Sequence, residues 1–453
     1  MLDIKDDSEM KIPEFPPNLD TILQRIKPDP ERSARFFDMI SEPLVDNKYL
    51  HWDKLRYYTP PEGFSHEEWW LVIKKQRQSL FKQLPLTDKS RKSFKHLTID
   101  PITEILHKID QYSATFNQMP YPIKNTETKN RYYVNSIIQE AFTSSQLEGA
   151  TTTRLVAKEM IRTGRPPCDK SEQMILNNFF AMKQIEKLKD EPLSKELVFD
   201  IHRLVTEKTL DDPSAAGRFR RANERIVVGD MYNEIFHDPP PSEQLEGRMA
   251  AMCDFANGKS PTSFIHPVIR SIILHFWLAY DHSFVDGNGR TARALFYWSI
   301  LRHRYWLFDF LSISQIIVKA PAKYARSFLY TETDDNDLTY FIIYHLEVIQ
   351  QAIKTFYEYI EHKAKRLQVI EQQLRGVVVL NHRQRALISH ALRHLHHKYT
   401  IKSHQISHNV VYQTARTDLI DLGNRGLLRS QKIGKTWYFT PVSDLEEKLT
   451  KVS

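Results

Sequence analysis

The chain has 453 residues, 41% hydrophobic and 26% charged, with a formal net charge of +7. That length implies two to four domains of roughly 100–200 residues each, and the composition excludes a globally disordered chain. Glycine, 13 of 453 residues, falls to about 3% against a usual level of about 7%, which argues against a turn-rich β-sandwich or a Gly-rich dinucleotide-binding sheet and favours helices. Cys168 and Cys253 cannot make a disulfide framework or a cysteine zinc site, so a cytoplasmic compartment is expected. Residues Met1–Asp7 lack the basic and apolar regions of a secretory signal. No apolar run approaches about 18 residues, so no membrane span is expected.

In chain order, residues 1–100 are Pro-rich (Pro13, Pro16, Pro17, Pro28, Pro30) and then aromatic (Trp52, Tyr57, Tyr58, Trp69, Trp70). They read as an N-terminal extension packed on the body, with no chemistry of their own. Residues 101–210 read as helical, with Ile102, Ile105, Leu106 and Ile109 at helix spacing. A second helix through Tyr133, Ile137, Ile138 and Ala141 is stopped by Gly149. Thr151–Thr153 cap a third helix through Leu155, Met160 and Ile161, which Gly164-Arg165-Pro166-Pro167 breaks. Helices follow near 171–187 and 194–208.

A core at 211–360 opens with a break in that texture. Ile226-Val227-Val228, the turn signal Gly229-Asp230 and Pro239-Pro240-Pro241 predict a β-hairpin near 225–238. Helices resume near 243–256, 266–280, 290–303 and 337–366, and the charged stretch 361–376 reads as a linker helix.

Residues 377–453 form a compact module. Helices near 382–397, 402–408 and 410–422 precede Gly423, Gly426 and a two-stranded ribbon from Leu427-Leu428-Arg429 to Thr436-Trp437-Tyr438-Phe439, the order of a winged helix-turn-helix. This module holds 12 Lys/Arg against 5 Asp/Glu, the whole +7 of the chain. A basic appendix suggests DNA contact, through Arg416, Lys432 and Lys435. A solvated face is the other reading, and winged helices also bind proteins, a role toward which the modest charge leans. His390, His394 and His397 fall at i, i+4 and i+7 among seven of the 19 histidines; a solvated helix face is preferred there over a metal site. Gly434-Lys435-Thr436 is set aside as a phosphate loop, because Arg429 stands where its first glycine belongs.

The segment that carries chemistry is His282-Ser283-Phe284-Val285-Asp286-Gly287-Asn288-Gly289-Arg290-Thr291-Ala292-Arg293. It lies between two apolar helices, and its end is a helix N-terminus, which binds anions. Gly287, Asn288 and Gly289 let backbone N–H groups turn toward a phosphate. Arg290 and Arg293 are three apart, so both can face one side of the first turn, and their forks suit phosphate oxygens. Asp286 is a hard oxygen ligand for Mg²⁺. His282 stands where a general base is needed, and Phe284 should point inward as an anchor. Each part alone is commonly structural; the whole set at one spacing is not.

The segment resembles the signature of the Fic family, His-Pro-Phe-x-(Asp/Glu)-Gly-Asn-Gly-Arg-x-x-Arg, departing only at Ser283, where the family usually has Pro. The resemblance extends over about residues 100–350, including the hairpin as a flap and the His266-Pro267 helix start. It implies a mainly α fold, a Fic-type helical bundle with a β-hairpin flap, beside the winged helix-turn-helix. It implies transfer of AMP from ATP to a Ser, Thr or Tyr hydroxyl of a target protein or of the chain itself. His282 would take the hydroxyl proton and Asp286 hold Mg²⁺. Gly287, Asn288 and Gly289 would form the anion hole with Arg290 beside it, and Arg293 would reach the γ-phosphate. The flap would clamp the target by strand-like pairing. Tyr324 matches only approximately a family tyrosine near the adenine.

Ser144-Ser145-Gln146-Leu147-Glu148-Gly149 resembles the family's inhibitory pattern, (Ser/Thr)-x-x-x-Glu-(Gly/Asn), with Ser144 and Glu148 at its functional positions. Glu148 can pair with Arg293 and repel ATP phosphates; the plainer reading is a helix-end Glu before a Gly cap. Rival functions are a DNA-binding regulator using residues 377–453, an AMP-removing enzyme and use of another donor such as UTP. A homodimer is left open.

Overall fold

The computed structural model describes residues 11–38, 42–114, 126–229, 234–376, 380–394, 397–434 and 436–451. They fall into two compact units, one from the ranges 1–117 and 134–353, the other from 118–133 and 354–453.

The first unit opens with α1 (Leu19–Ile26), α2 (Pro30–Asp38), α3 (Trp52–Leu55) and α4 (His66–Leu80), then the antiparallel pair β1 (Lys82–Thr87) and β2 (Ser93–His96). Pro-rich composition concealed these elements, yet each has a local cause. The Asn18 side chain caps α1, and Ser65 with Glu68 forms a reciprocal capping box on α4. On the inner face of α4, Lys74 pairs with Asp334 at 2.8 Å, both buried. The Arg77 guanidinium donates to the carbonyls of Pro43 and Leu50 and to the Tyr340 hydroxyl at 2.9–3.1 Å. Buried charges persist only when paired in this way, so the extension is fixed to the chain around residue 334.

Next come α5 (Asp100–Ala114), α6 (Thr126–Gln146), α7 (Arg154–Thr163), α8 (Lys170–Leu188) and α9 (Lys195–Thr206). Thr153, Asp169 and Ser194 cap the last three, and Gly164 ends α7 in the left-handed region at φ 71°. The short pair β3 (Val228–Gly229) and β4 (Ile235–His237) is the expected hairpin, with its tip, 230–233, outside the described residues. Then follow α10 (Leu245–Ala256), α11 (Pro267–Asp281), α12 (Asn288–Arg302), α13 (Ser314–Ile317), α14 (Pro321–Thr333) and α15 (Thr339–Gly376). Asn288 and Arg290–Leu301 are all buried, so α12 is the central helix of this unit. The separate core and linker helices expected over 337–376 are one helix, α15.

The second unit contains α16 (His382–Arg393), β5 (Tyr399–Thr400), α17 (Ile401–His408), α18 (Tyr412–Asn424), β6 (Leu428–Ile433), β7 (Thr436–Pro441) and α19 (Leu445–Lys451). Its core, including Leu387, Ile388, Leu419, Leu422 and Phe439, lies wholly within residues 380–449. Asp418 joins three helices, accepting from Arg383 at 2.7 Å and meeting His404 at 3.2 Å. The sheet has three strands in the order β5-β7-β6, not two, because Tyr399 and Thr400 pair with Phe439 and Tyr438. α16 ends at Arg393, so His390, His394 and His397 do not share a helix face; His394 stacks on His390 at 4.3 Å. Among the described residues no three His, Cys, Asp or Glu side chains are placed to hold a metal ion. Nor is any described helix long and apolar enough to cross a membrane.

Candidate active site

The loop between α11 and α12 is built by hydrogen bonds to its own backbone. The Asn288 side chain accepts from Phe284 N at 2.9 Å and donates to Phe284 O at 2.8 Å, closing residues 284–288 into a ring. Phe284 points inward, fully buried, as expected. Gly287 takes φ 83°, which a side chain disfavours, and a Cβ there would stand 2.5 Å from Thr206 Cγ2.

Several residues that the sequence did not single out hold the loop from outside. His202 stacks on Phe284, ring centroids 3.8 Å apart. Its Nδ1 accepts from Gly217 N at 2.9 Å, so Nε2 carries the proton and donates to Asp286 O at 2.8 Å. Burial pushes His202 down to about 4, consistent with this neutral form. Arg220 donates from Nε to His282 O at 2.8 Å, and its backbone N–H donates to Ser283 O at 3.0 Å. Its Nη2 also reaches Pro240 O at the foot of the hairpin. Ser283 is therefore held by its carbonyl, where a proline ring would otherwise stiffen the turn. These supports come from distant segments, one residue each, and carry no local pattern.

His282 ends α11 in the left-handed conformation, φ 45°. Its Nδ1 faces Ala279 O at 3.3 Å, which assigns the proton to Nδ1 and leaves Nε2 as an acceptor. Burial, reinforced by the charge of His237, pushes its pKa down to about 4.

Arg290 and Arg293 diverge, contrary to the shared face expected from their spacing. Arg290 Nη1 donates at 2.8 Å to Val205 O, in the last turn of α9, where helix carbonyls lack partners. Its Nη2 lies 3.4 Å from Asp286. Arg293 turns to α6, donating from Nε to Ser144 Oγ at 2.7 Å and from Nη2 to Ser144 O at 2.9 Å and Glu148 Oε1 at 2.8 Å. Glu148 lies in the turn after α6, ahead of Gly149 at φ 89°. A Cβ built on Gly289 would stand 2.1 Å from Glu148 Oε1 and 3.2 Å from Arg293 Nη1. The carboxylate thus rests against the N-terminal turn of α12. Burial raises the Glu148 pKa, but the charges of Arg293 and Arg290 outweigh it and hold the carboxyl below its ordinary value.

Asp286 remains half-exposed; one oxygen accepts from Gly287 N at 2.5 Å. Such a carboxylate fits Mg²⁺, which keeps water and substrate oxygens as its other ligands. Tyr324 lies on α14, its hydroxyl 3.0 Å from His275 Nε2, and burial pushes it up to about 12 against the opposing pull of Arg293.

Residues 192–300 match the model of the Fic/DOC family. It is similar to a curated protein named Protein adenylyltransferase Fic from Nematostella vectensis, 30% identical over 203 residues, 42% of this chain and 43% of that protein. A protein of the same name from Aedes aegypti is 29% identical over 194 residues, 39% of this chain and 37% of that one. The alignments span less than half the length of these relatives. A solved Fic family protein from Desulfovibrio desulfuricans G20 shares the fold, with TM-score 0.51 and 18% identity over 76% of this chain and 97% of that chain.

Proposed function

We propose that the chain is a protein adenylyltransferase that moves AMP from ATP to a Ser, Thr or Tyr hydroxyl, of a target or of itself, and is held inactive by Glu148. The observation that carries this is the Glu148 carboxylate on Arg293, against the helix N-terminus that would receive phosphate. With Glu148 withdrawn, the turn at Gly287–Gly289 would hold the phosphates and Arg293 would take the γ-phosphate. Asp286 would hold Mg²⁺, which supplies charge neutralisation on the phosphates. His282 Nε2 takes the proton as the hydroxyl oxygen attacks the α-phosphorus. The bond to the β-phosphate breaks, and pyrophosphate leaves. Negative charge gathering beside His282 raises its basicity as it accepts the proton. The edge of β3–β4 would align the target segment. ATP labelled at the α-phosphate should mark protein while γ-labelled ATP does not; label from the γ-position would refute the reading. The two cysteines, free in the structure, support a reducing, cytoplasmic setting.

The second unit supports a further reading as a winged helix that finds the target protein. Its helix-turn and sheet expose Ile406, Val411, Tyr412, Ile433 and Trp437, an apolar set unlike a DNA reader. Arg416 and Lys432 are exposed too, and Lys435 lies outside the described residues. Duplex binding by residues 377–453 that weakens steeply with salt would favour DNA instead.

A further inference from the structure

His237, at the end of β4, belongs to no motif and has no role in the reading above. It is buried, and both ring nitrogens are engaged. Nδ1 lies 2.7 Å from Glu332 Oε2 on α14, and Nε2 lies 2.7 Å from Tyr280 O in the last turn of α11. A carboxylate and a backbone carbonyl only accept, while a neutral imidazole has one N–H to donate. Both bonds form together only when the ring is charged.

We infer that His237 is a positioning residue: held as an imidazolium between Glu332 and the Tyr280 carbonyl, it ties the flap strand β4 to the turn of helix that presents His282. The inference rests on the transferase reading for what the flap positions. Arg220 is a second, non-titrating tether between the foot of the hairpin and this turn, through Pro240 O and His282 O.

The other charges around the ring leave Glu332 as its counterion. On α11, Asp281 faces it but is spent on Arg248 of α10 at 2.6 Å and on the Trp277 indole at 3.1 Å. On its own strand's exit, Asp238 pairs with Lys89 at 3.0 Å, with Arg225 adding positive charge nearby. His282 stays neutral, and the Tyr280 hydroxyl is held well above its ordinary range by burial. Burial alone would neutralise His237; Glu332 overcomes it and raises the pKa above the ordinary value of 6.5. The tether is therefore present below that raised pKa and lost as pH rises through it.

The test uses the full chain with Glu148→Gly, scored by self-labelling from ATP between about pH 6 and 9, alongside NMR titration of the His237 ring. The ring should titrate above 6.5, and labelling should fall at the same pH. Glu332→Gln keeps an acceptor but removes the charge, so ring and activity limb should move down together by about one pH unit or more. His237→Gln cannot span both acceptors; it should lower labelling on the order of tenfold and abolish the limb. A ring that titrates at or below 6.5, or a limb unmoved by Glu332→Gln, overturns the inference. If no label appears at any pH, the transferase reading fails. Amide exchange at Ile235–Asp238 then decides the tether separately: protection, taken relative to the intrinsic base-catalysed rate at each pH, should fall as the ring deprotonates, and protection unchanged across that pH refutes it.

Discussion

Gly289→Ala tests where Glu148 rests. The new methyl would stand 2.1 Å from Glu148 Oε1 and 2.9 Å from its Cδ, more than 1 Å inside van der Waals contact by the usual carbon–oxygen separation of about 3.3 Å. The backbone of Gly289 is helical and accepts alanine; the carboxylate, at the end of a flexible side chain, must move. Arg293 keeps its two bonds to Ser144 but loses Glu148. A charge-assisted hydrogen bond of this kind contributes about 1.5–3 kcal/mol, against which alanine returns at most about 1 kcal/mol of helix propensity. Gly289→Ala should therefore destabilise the first unit by roughly 1–2 kcal/mol in the parent chain. In Glu148→Gly, where no carboxylate is displaced, it should be neutral or slightly stabilising. Urea unfolding of the four chains of this double-mutant cycle measures the difference. An equal effect in both backgrounds would place the Glu148 carboxylate away from Gly289.

His282→Ala in the Glu148→Gly chain should lower transfer by roughly 10²–10⁴-fold while ATP binding, measured by calorimetry, is unchanged; near-parental transfer would remove the residue from proton transfer. Acid should destabilise the first unit well above the carboxylate range. His51, His96 and His202 are buried, and burial pushes each from 6.5 to about 4. Each favours the neutral fold above 6.5, and that stability is lost as pH falls toward 4, at up to about 1.4 kcal/mol per pH unit per residue. His237 works in the opposite sense, its contribution complete below 6.5 and lost as pH rises above it, so His237→Gln should lower stability evenly across the acid window and leave its slope unchanged; unfolding midpoints of the parent chain flat from pH 6.5 to 4.5 would contradict the burial of the three histidines.

What was legible in the sequence is what is contiguous there. The 282–293 segment declares itself because loop, glycines and helix start are adjacent, and the hairpin does so through its β-branched run and prolines. The pairing of Glu148 with Arg293 followed from the resemblance of residues 144–149 to the family's inhibitory pattern, with charge match as its physical reason. The divergence of Arg290 was hidden because its partner is a carbonyl, Val205 O, and carbonyls have no sequence signature. His202, Arg220, His237 and Glu332 each arrive singly from a distant segment, so only the folded chain assembles them. In the second unit the third strand was hidden by its two-residue length, too short for any alternation to show.

The most direct measurement is the rate of AMP incorporation, by intact mass after incubation with ATP and Mg²⁺, for the parent chain and for Glu148→Gly. The account predicts little incorporation in the parent and a rise of about tenfold or more in the variant, the equivalent of about 1.4 kcal/mol released at Arg293. Equal incorporation in both would contradict the hold of Glu148 on the site, and none in either would contradict adenylyl transfer itself.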